Sequence, residues 1–299
     1  MTPSTFRRFT AASLVFLAAI IVTGAAVRLT NSGLGCESWP QCEPGALVGA
    51  KNGHQAIEQV NRLFTGLMLV AIVGALTGAF RRKPRRKDLT RLAAALIGGY
   101  FAQAFVGGLV VLTHLNPAAV MLHFLVSAVV LVAGVVLHRR TGEPTARFEP
   151  TVEPRHRVVV RAIAALGMAA VISGTVVTNT GPHGGDEKAR RFGLSLLQVV
   201  RVHSLIVLTM LAVIAALIWR LRRHHDRKVL YGPLEAVLAA GIVQGAIGYW
   251  QWFTHLPVLL VGFHIVGATL VIITLTRLVL ATRRAVIVGS APADPARVG

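Results

Sequence analysis

Three histidines, His123, His203 and His264, each lie about two helical turns inside one end of a long apolar run, by the ~5.4 Å pitch of an α-helix. An ionisable side chain at such a depth is costly and marks a ligand, a relay or a pathway. Two of the three are related by an internal repeat. A constant shift superposes Gln103 on Gln244, Gly107 on Gly248, Thr113, His114 and Leu115 on Thr254, His255 and Leu256, and His123 on His264. A shift one residue longer places the run from Val60 on the run from Val202, so that Asn61 falls on His203. A four-helix unit that presents inward histidines from two of its helices can hold haem between them. His203 and His264 make such a bis-histidine pair. The equivalent pair of the first half, Asn61 and His123, has one strong iron ligand and a more open face. Neutral histidines bonded to neighbouring helices are the bland alternative, disfavoured by three at one depth. Structural zinc wants cysteine and histidine at close spacing, which is absent from the sequence.

Other residues fall at the same level. Glu58 precedes Asn61 by three positions and therefore projects from the same side of its helix. An ion pair with Arg62 is its structural reading. The second half has Val200 at the matching position, so a carboxylate accompanies only the half with the open site. Arg28, Arg62 and Arg201 stand at the same ends of their segments and suit the carboxylates of haem propionates, or snorkel to lipid headgroups. His114 and His255, at segment ends, are further propionate candidates or packing residues. His138, His156, His224 and His225 lie among arginines in loops and read as solvated.

The elements that must position these residues are membrane helices. The chain is 54% hydrophobic and 14% charged, too apolar for an ordinary soluble domain. Eight apolar runs reach the roughly 20 residues that a crossing needs, near 9–29, 57–80, 92–112, 117–138, 158–179, 196–219, 230–252 and 258–280. The fold class expected is all-α, a polytopic membrane protein whose eight helices form two four-helix bundles related as a parallel repeat. The divisions expected are an N-terminal half over 1–140, a linker over 141–154, a C-terminal half over 155–284 and a disordered tail over 285–299. Net charge is +19, but the basic residues cluster between apolar runs instead of forming one polar face, which argues against nucleic acid. All except Arg28, Lys51, Arg62, Lys188, Arg190, Arg191 and Arg201 fall on one side, which places both termini in the cytoplasm. The first run exceeds the core of a cleaved signal despite Arg7 and Arg8.

The runs GAAVRLTNSGLGCESWPQC from Gly24, IEQVNR from Ile57, FVGGLVVLTH from Phe105, LHF at His123, RVHS at His203 and GFHIVGA at His264 resemble the haem A synthases over nearly the whole chain. The resemblance implies two similar four-helix halves in the cell membrane and oxidation of the C8 methyl of haem O to a formyl by two successive hydroxylations. It assigns a haem b cofactor to His203 and His264, the substrate haem to the half with His123, and a functional carboxylate to Glu58. A membrane electron donor, the lipid bilayer and a haem O synthase that supplies the substrate are the partners it implies. Cys36 and Cys42 match a cysteine pair in the first loop on the histidine side. A disulfide between Cys36 and Cys42 is expected there, where it is chemically permitted, with two free thiols as the alternative. Asn61 departs from the family, many of whose members carry a second histidine there. A di-haem electron carrier and a haem transporter remain the rival readings. The first expects two like bis-histidine sites, and the second a route open to alternate sides.

Overall fold

A computed structural model describes residues 1–36, 39, 42, 49–144 and 146–287. Eight helices run in order: α1 Pro3–Leu29, α2 Gly53–Arg81, α3 Lys87–Leu112, α4 Pro117–Thr141, α5 Pro154–Thr180, α6 Leu196–Leu221, α7 Arg227–Phe253 and α8 Val258–Ala281. Each is long and apolar enough to cross a membrane. The protein is an all-α, multi-pass membrane protein.

The helices outrun the apolar stretches because capping and basic residues extend them into the boundary. The Thr2 side chain accepts the Thr5 amide and Pro3 opens α1. Asn52 accepts the Gln55 amide ahead of α2, and Asn116 followed by Pro117 starts α4. Such caps satisfy amides that the first turn leaves free. The turns into α4 and α8 share one geometry, with His114, Leu115, His255 and Leu256 all at positive φ between 52° and 62°. The repeat legible around Thr113 and Thr254 is therefore also a repeat of backbone.

In the first half α1 packs on α2 and α4, and α3 packs on the same two, so α2 and α4 face each other across the bundle. The second half repeats this, with α6 and α8 across from each other. The halves meet through α1, α4, α5 and α8. Because the crossings are even in number, both ends of the described chain lie at one face, here called the terminal face.

The buried apolar cores occupy the part of each bundle nearer that face. One is built on Phe6, Leu17, Ile72, Leu89, Leu96 and Leu131, the other on Ile163, Met210, Ile214, Leu230 and Leu234. Toward the opposite face burial lapses. On α6 no residue before Met210 is buried, and on α8 none before Thr269. On α4 none is buried between Ala119 and Ala128, and on α2 none between Gln59 and Met68. Protein interiors pack to crystal density. Both bundles lack that density at the level of the histidines.

The linker and the segment after α8 contain two strands. Strand β1, Ala146–Pro150, pairs antiparallel with β2, Arg283–Ile287, from Ala146 opposite Ile287 to Pro150 opposite Arg283. The Thr151 amide then continues the ladder to the Thr282 carbonyl. This corrects the expectation of disorder from residue 285: the strand runs to Ile287, and residues 288–299 lie outside the described residues. A two-stranded ribbon is marginal alone; here its ends are fixed by α4, α5 and α8.

Candidate functional site

His123 is on α4, His203 on α6 and His264 on α8, each within the first eight residues of its helix. A rise of about 1.5 Å per residue puts all three roughly 10 Å below the face opposite the termini. Each ring lies against a glycine of the preceding helix. A Cβ built at Gly107 would come within 3.3 Å of the His123 ring, and one at Gly174 or Gly248 within 3.2 Å of His203 or His264. The Gln103 amide donates to the His123 carbonyl at 3.1 Å, and Gln244 donates to that of His264 at 2.7 Å. The paired glutamines of the repeat thus perform the same task twice.

The rings differ in what meets their nitrogens. His203 Nδ1 is 2.9 Å from the Ser173 hydroxyl. His123 Nδ1 and His264 Nδ1 are buried without a hydrogen-bond partner among the described residues. An unmet buried polar atom costs about 1–3 kcal/mol. In all three rings Nδ1 is turned to the neighbouring helix, against Gly107, Gly248 or Ser173, which leaves Nε2 as the nitrogen able to ligate a flat prosthetic group where the core is missing. The donor set, imidazoles on facing helices, suits haem iron.

Asn61 takes the fourth position, on α2 and across from His123. The Thr23 hydroxyl donates to its Oδ1 at 2.8 Å, as Ser173 meets His203. Beside Thr23, a Cβ at Gly24 would meet nothing within 4 Å. The cradle is present but the ring that fills it in the other half is absent. A hollow of about 320 Å³ opens there, lined by Thr23, Ala26, Ala56, Ile57, Val60 and Asn61.

Glu58 is buried, 5% exposed. Its Oε1 takes an Arg62 N–H at 2.5 Å and its Oε2 the Cys36 amide at 2.8 Å. Cys36 and Cys42 form a disulfide, so the thiol alternative is closed. Trp39, within the disulfide loop, lies over α3, where a Cβ at Gly108 would come within 3.1 Å of its indole. Glu58 therefore anchors Cys36, one end of the disulfide, on the His123 half.

The arginine and loop histidine candidates separate. Arg28 spans the two halves: its Nε donates to the His183 carbonyl at 2.7 Å, and its terminal nitrogens to Asn179 Oδ1 at 3.1 Å and the Thr178 carbonyl at 2.9 Å. The adjoining Gly33 amide donates to the carbonyl of Gly185, whose φ of 96° calls for glycine. Arg201, His114 and His255 are exposed at the same face. We expect Arg28→Ala to lower the thermal midpoint in detergent, with a loss of about 3 kcal/mol from charge-assisted bonds, while the haem spectrum is retained. An unchanged midpoint would show that the halves are held by other contacts.

His156 and His224 read as solvated in the sequence, yet His156 is 6% exposed and its partner Asp226 1%. His156 Nδ1 lies 2.6 Å from Asp226 Oδ2, to which the Glu153 amide also donates at 3.0 Å. Burial opposes ionisation of Asp226, but these bonds and the neighbouring histidines hold its carboxyl below the usual carboxylate range. Nothing in the run RLRRHHDRK signals this, because its partners lie on α5 and just before it.

The chain matches the cytochrome oxidase assembly protein family over residues 7–59 and 48–182. It is 23% identical over 283 residues to the haem A synthase of Shouchella clausii, an alignment that covers 89% of this chain and 93% of that protein. Against the haem A synthase of Lysinibacillus sphaericus it is 28% identical over 142 residues, 47% of this chain and 46% of the relative. Against that of Geobacillus kaustophilus it is 33% identical over 107 residues, 35% and 32% respectively. With the family matched from Arg7 to Pro182, and with the motifs that carried the resemblance standing at one level of two like bundles, the chain belongs to the cytochrome oxidase assembly protein family, that of the haem A synthases.

Proposed function

We propose that the protein is a haem A synthase of the cell membrane with both termini in the cytoplasm, oxidising the C8 methyl of haem O to a formyl by two successive hydroxylations. The observation that carries the reading is the fourfold site with one odd member. Four equivalent helix positions hold three half-buried imidazoles and one amide, Asn61, and the odd half also carries Glu58. Two like electron-transfer sites have no use for that difference. In the C-terminal half, residues 155–284, His203 and His264 would hold haem b, which would supply one-electron redox chemistry. In the N-terminal half, residues 1–140, His123 holds the iron of haem O.

On this reading Asn61 leaves the second face of the substrate open, and Thr23 fixes the amide by donating to its Oδ1. Glu58 sits one turn away, oriented by Arg62 and the Cys36 amide. Buried in the outer end of α2, its carboxylate accepts a proton or offsets positive charge at the carbon being oxidised. Arg62, Arg201, His114 and His255 remain propionate partners, while Arg28 serves chiefly as the strut between halves. Electrons come from a membrane donor, and the substrate from a haem O synthase.

Glu58→Gln preserves an acceptor for the Cys36 amide and removes the charge. It is expected to lower conversion of haem O about 100-fold with haem b still bound; full conversion would remove Glu58 from the chemistry. The function itself is tested by expressing the chain in a bacterium deleted for its own haem A synthase. Return of a haem A-containing terminal oxidase is expected, and its absence despite membrane-inserted protein would favour the electron-carrier reading.

A further inference from the structure

The linker and the α6–α7 turn, far from the haem-level residues, bring together a second set of ligating side chains. Glu153 caps α5, His156 lies in its first turn, and His224 comes from the turn before α7. A carboxylate oxygen of Glu153, a ring nitrogen of His156 and a ring nitrogen of His224 lie within 4.8 Å of one another. We propose that Glu153, His156 and His224 bind a divalent cation of the zinc class at the terminal face.

Three further observations support a cation there. First, Asp226 Oδ2 stands 2.6 Å from His156 Nδ1. A carboxylate behind a ligating histidine fixes its tautomer and raises its basicity, as outer carboxylates do in zinc sites. Second, Asp226 is almost fully buried and three histidines gather on its carboxylate: His156 Nδ1 at 2.6 Å, His225 Nε2 at 3.0 Å and His224 Nδ1 at 3.8 Å. A buried carboxylate is stabilised by positive charge close by. Third, Arg155 already places a guanidinium between two of the ligands, 2.7 Å from Glu153 Oε2 and 3.1 Å from His224 Nε2. The Arg155 side chain is 60% exposed, so it can turn to solvent when a metal takes its place.

Two imidazoles and one carboxylate suit zinc better than magnesium or calcium, which prefer all-oxygen sets. Three protein ligands leave one position of a tetrahedron for water. The His156 and His224 rings meet edge to face with centroids 4.6 Å apart, so only small rotations are needed to converge. His225, 70% exposed, forms a second group of potential ligands with His224 and Asp226, and its variant separates the two arrangements. A bound ion would fasten the start of α5 to the α6–α7 turn.

The test uses the full-length protein in detergent, stripped with chelator and then exposed to Zn²⁺, with zinc and iron counted separately by mass spectrometry after gel filtration. One retained zinc per chain is expected. His224→Gln and Glu153→Gln, both partly exposed positions, should each weaken zinc retention at least tenfold, Asp226→Asn by 10- to 100-fold, and His225→Ala not at all. Cobalt substitution, read by visible absorption, should give a tetrahedral spectrum lost in His224→Gln. Thermal midpoints and haem content without zinc establish that each variant folds. Zinc retention by the wild type no greater than by His224→Gln, or equal loss in His225→Ala, would overturn the proposal.

Discussion

His264→Ala is expected to leave the C-terminal half without its haem. Iron and haem per purified chain should fall by the share bound between α6 and α8, the bis-histidine absorption should vanish, and turnover of haem O should cease. The ring lies in a cradle formed by Gly248, and its Nδ1 meets no described group. Helix α8 carries no other histidine to replace it. His203→Ala should behave alike, with the Ser173 hydroxyl left unpaired. The informative contrast is His123→Ala, which should abolish conversion while the spectrum of the C-terminal haem persists. Loss of that spectrum in His123→Ala, or its survival in His264→Ala, would mean that the two halves do not hold separate groups. The change is read by absorption and electron paramagnetic resonance on purified membranes.

The second large effect is a gain. Asn61→His is expected to turn the N-terminal half into a bis-histidine site, because the room for a ring is already present. Gly24 faces open space where Gly174 touches the His203 ring, and Thr23 occupies the place of Ser173. With haem O bound, the wild type should show an iron with one strong axial ligand at His123, and the variant a six-coordinate, low-spin iron. If the wild-type site already gave the low-spin signature, another residue would be the second ligand, and the reading of Asn61 as an open face would fail.

Much of this arrangement was legible in the sequence, for identifiable reasons. A membrane helix must satisfy its backbone internally, so the apolar runs marked all eight helices, and only their ends were missed, where Thr2, Asn52 and basic residues carry the helix past the apolar stretch. The repeat exposed the pairing of His123 with His264 and the odd position of Asn61, because equivalent ligands need equivalent helices. It also brought Gly107 onto Gly248, although the reason, room for a ring, needed coordinates. Arg28 looked like a partner for carboxylates, but its position at the end of α1 places it against carbonyls of the other half. The strands β1 and β2 were missed because ARFEP alternates over only four residues before Pro150, RRAVI does not alternate, and their pairing spans the entire second half. The Glu153, His156 and His224 cluster was hidden by the separation of its members and by the arginines around them.

The central claim, that haem O bound in the Asn61 and His123 half is oxidised to haem A, is tested most directly by co-expressing the chain with a haem O synthase in a host that makes no haem A. Haems extracted in acidic acetone are then resolved by chromatography with mass detection. Haem A, or its hydroxymethyl precursor, is the predicted product, and it should disappear in His123→Ala. Haem O left unchanged beside haem b, in protein that folds and holds its haem on His203 and His264, would contradict the account.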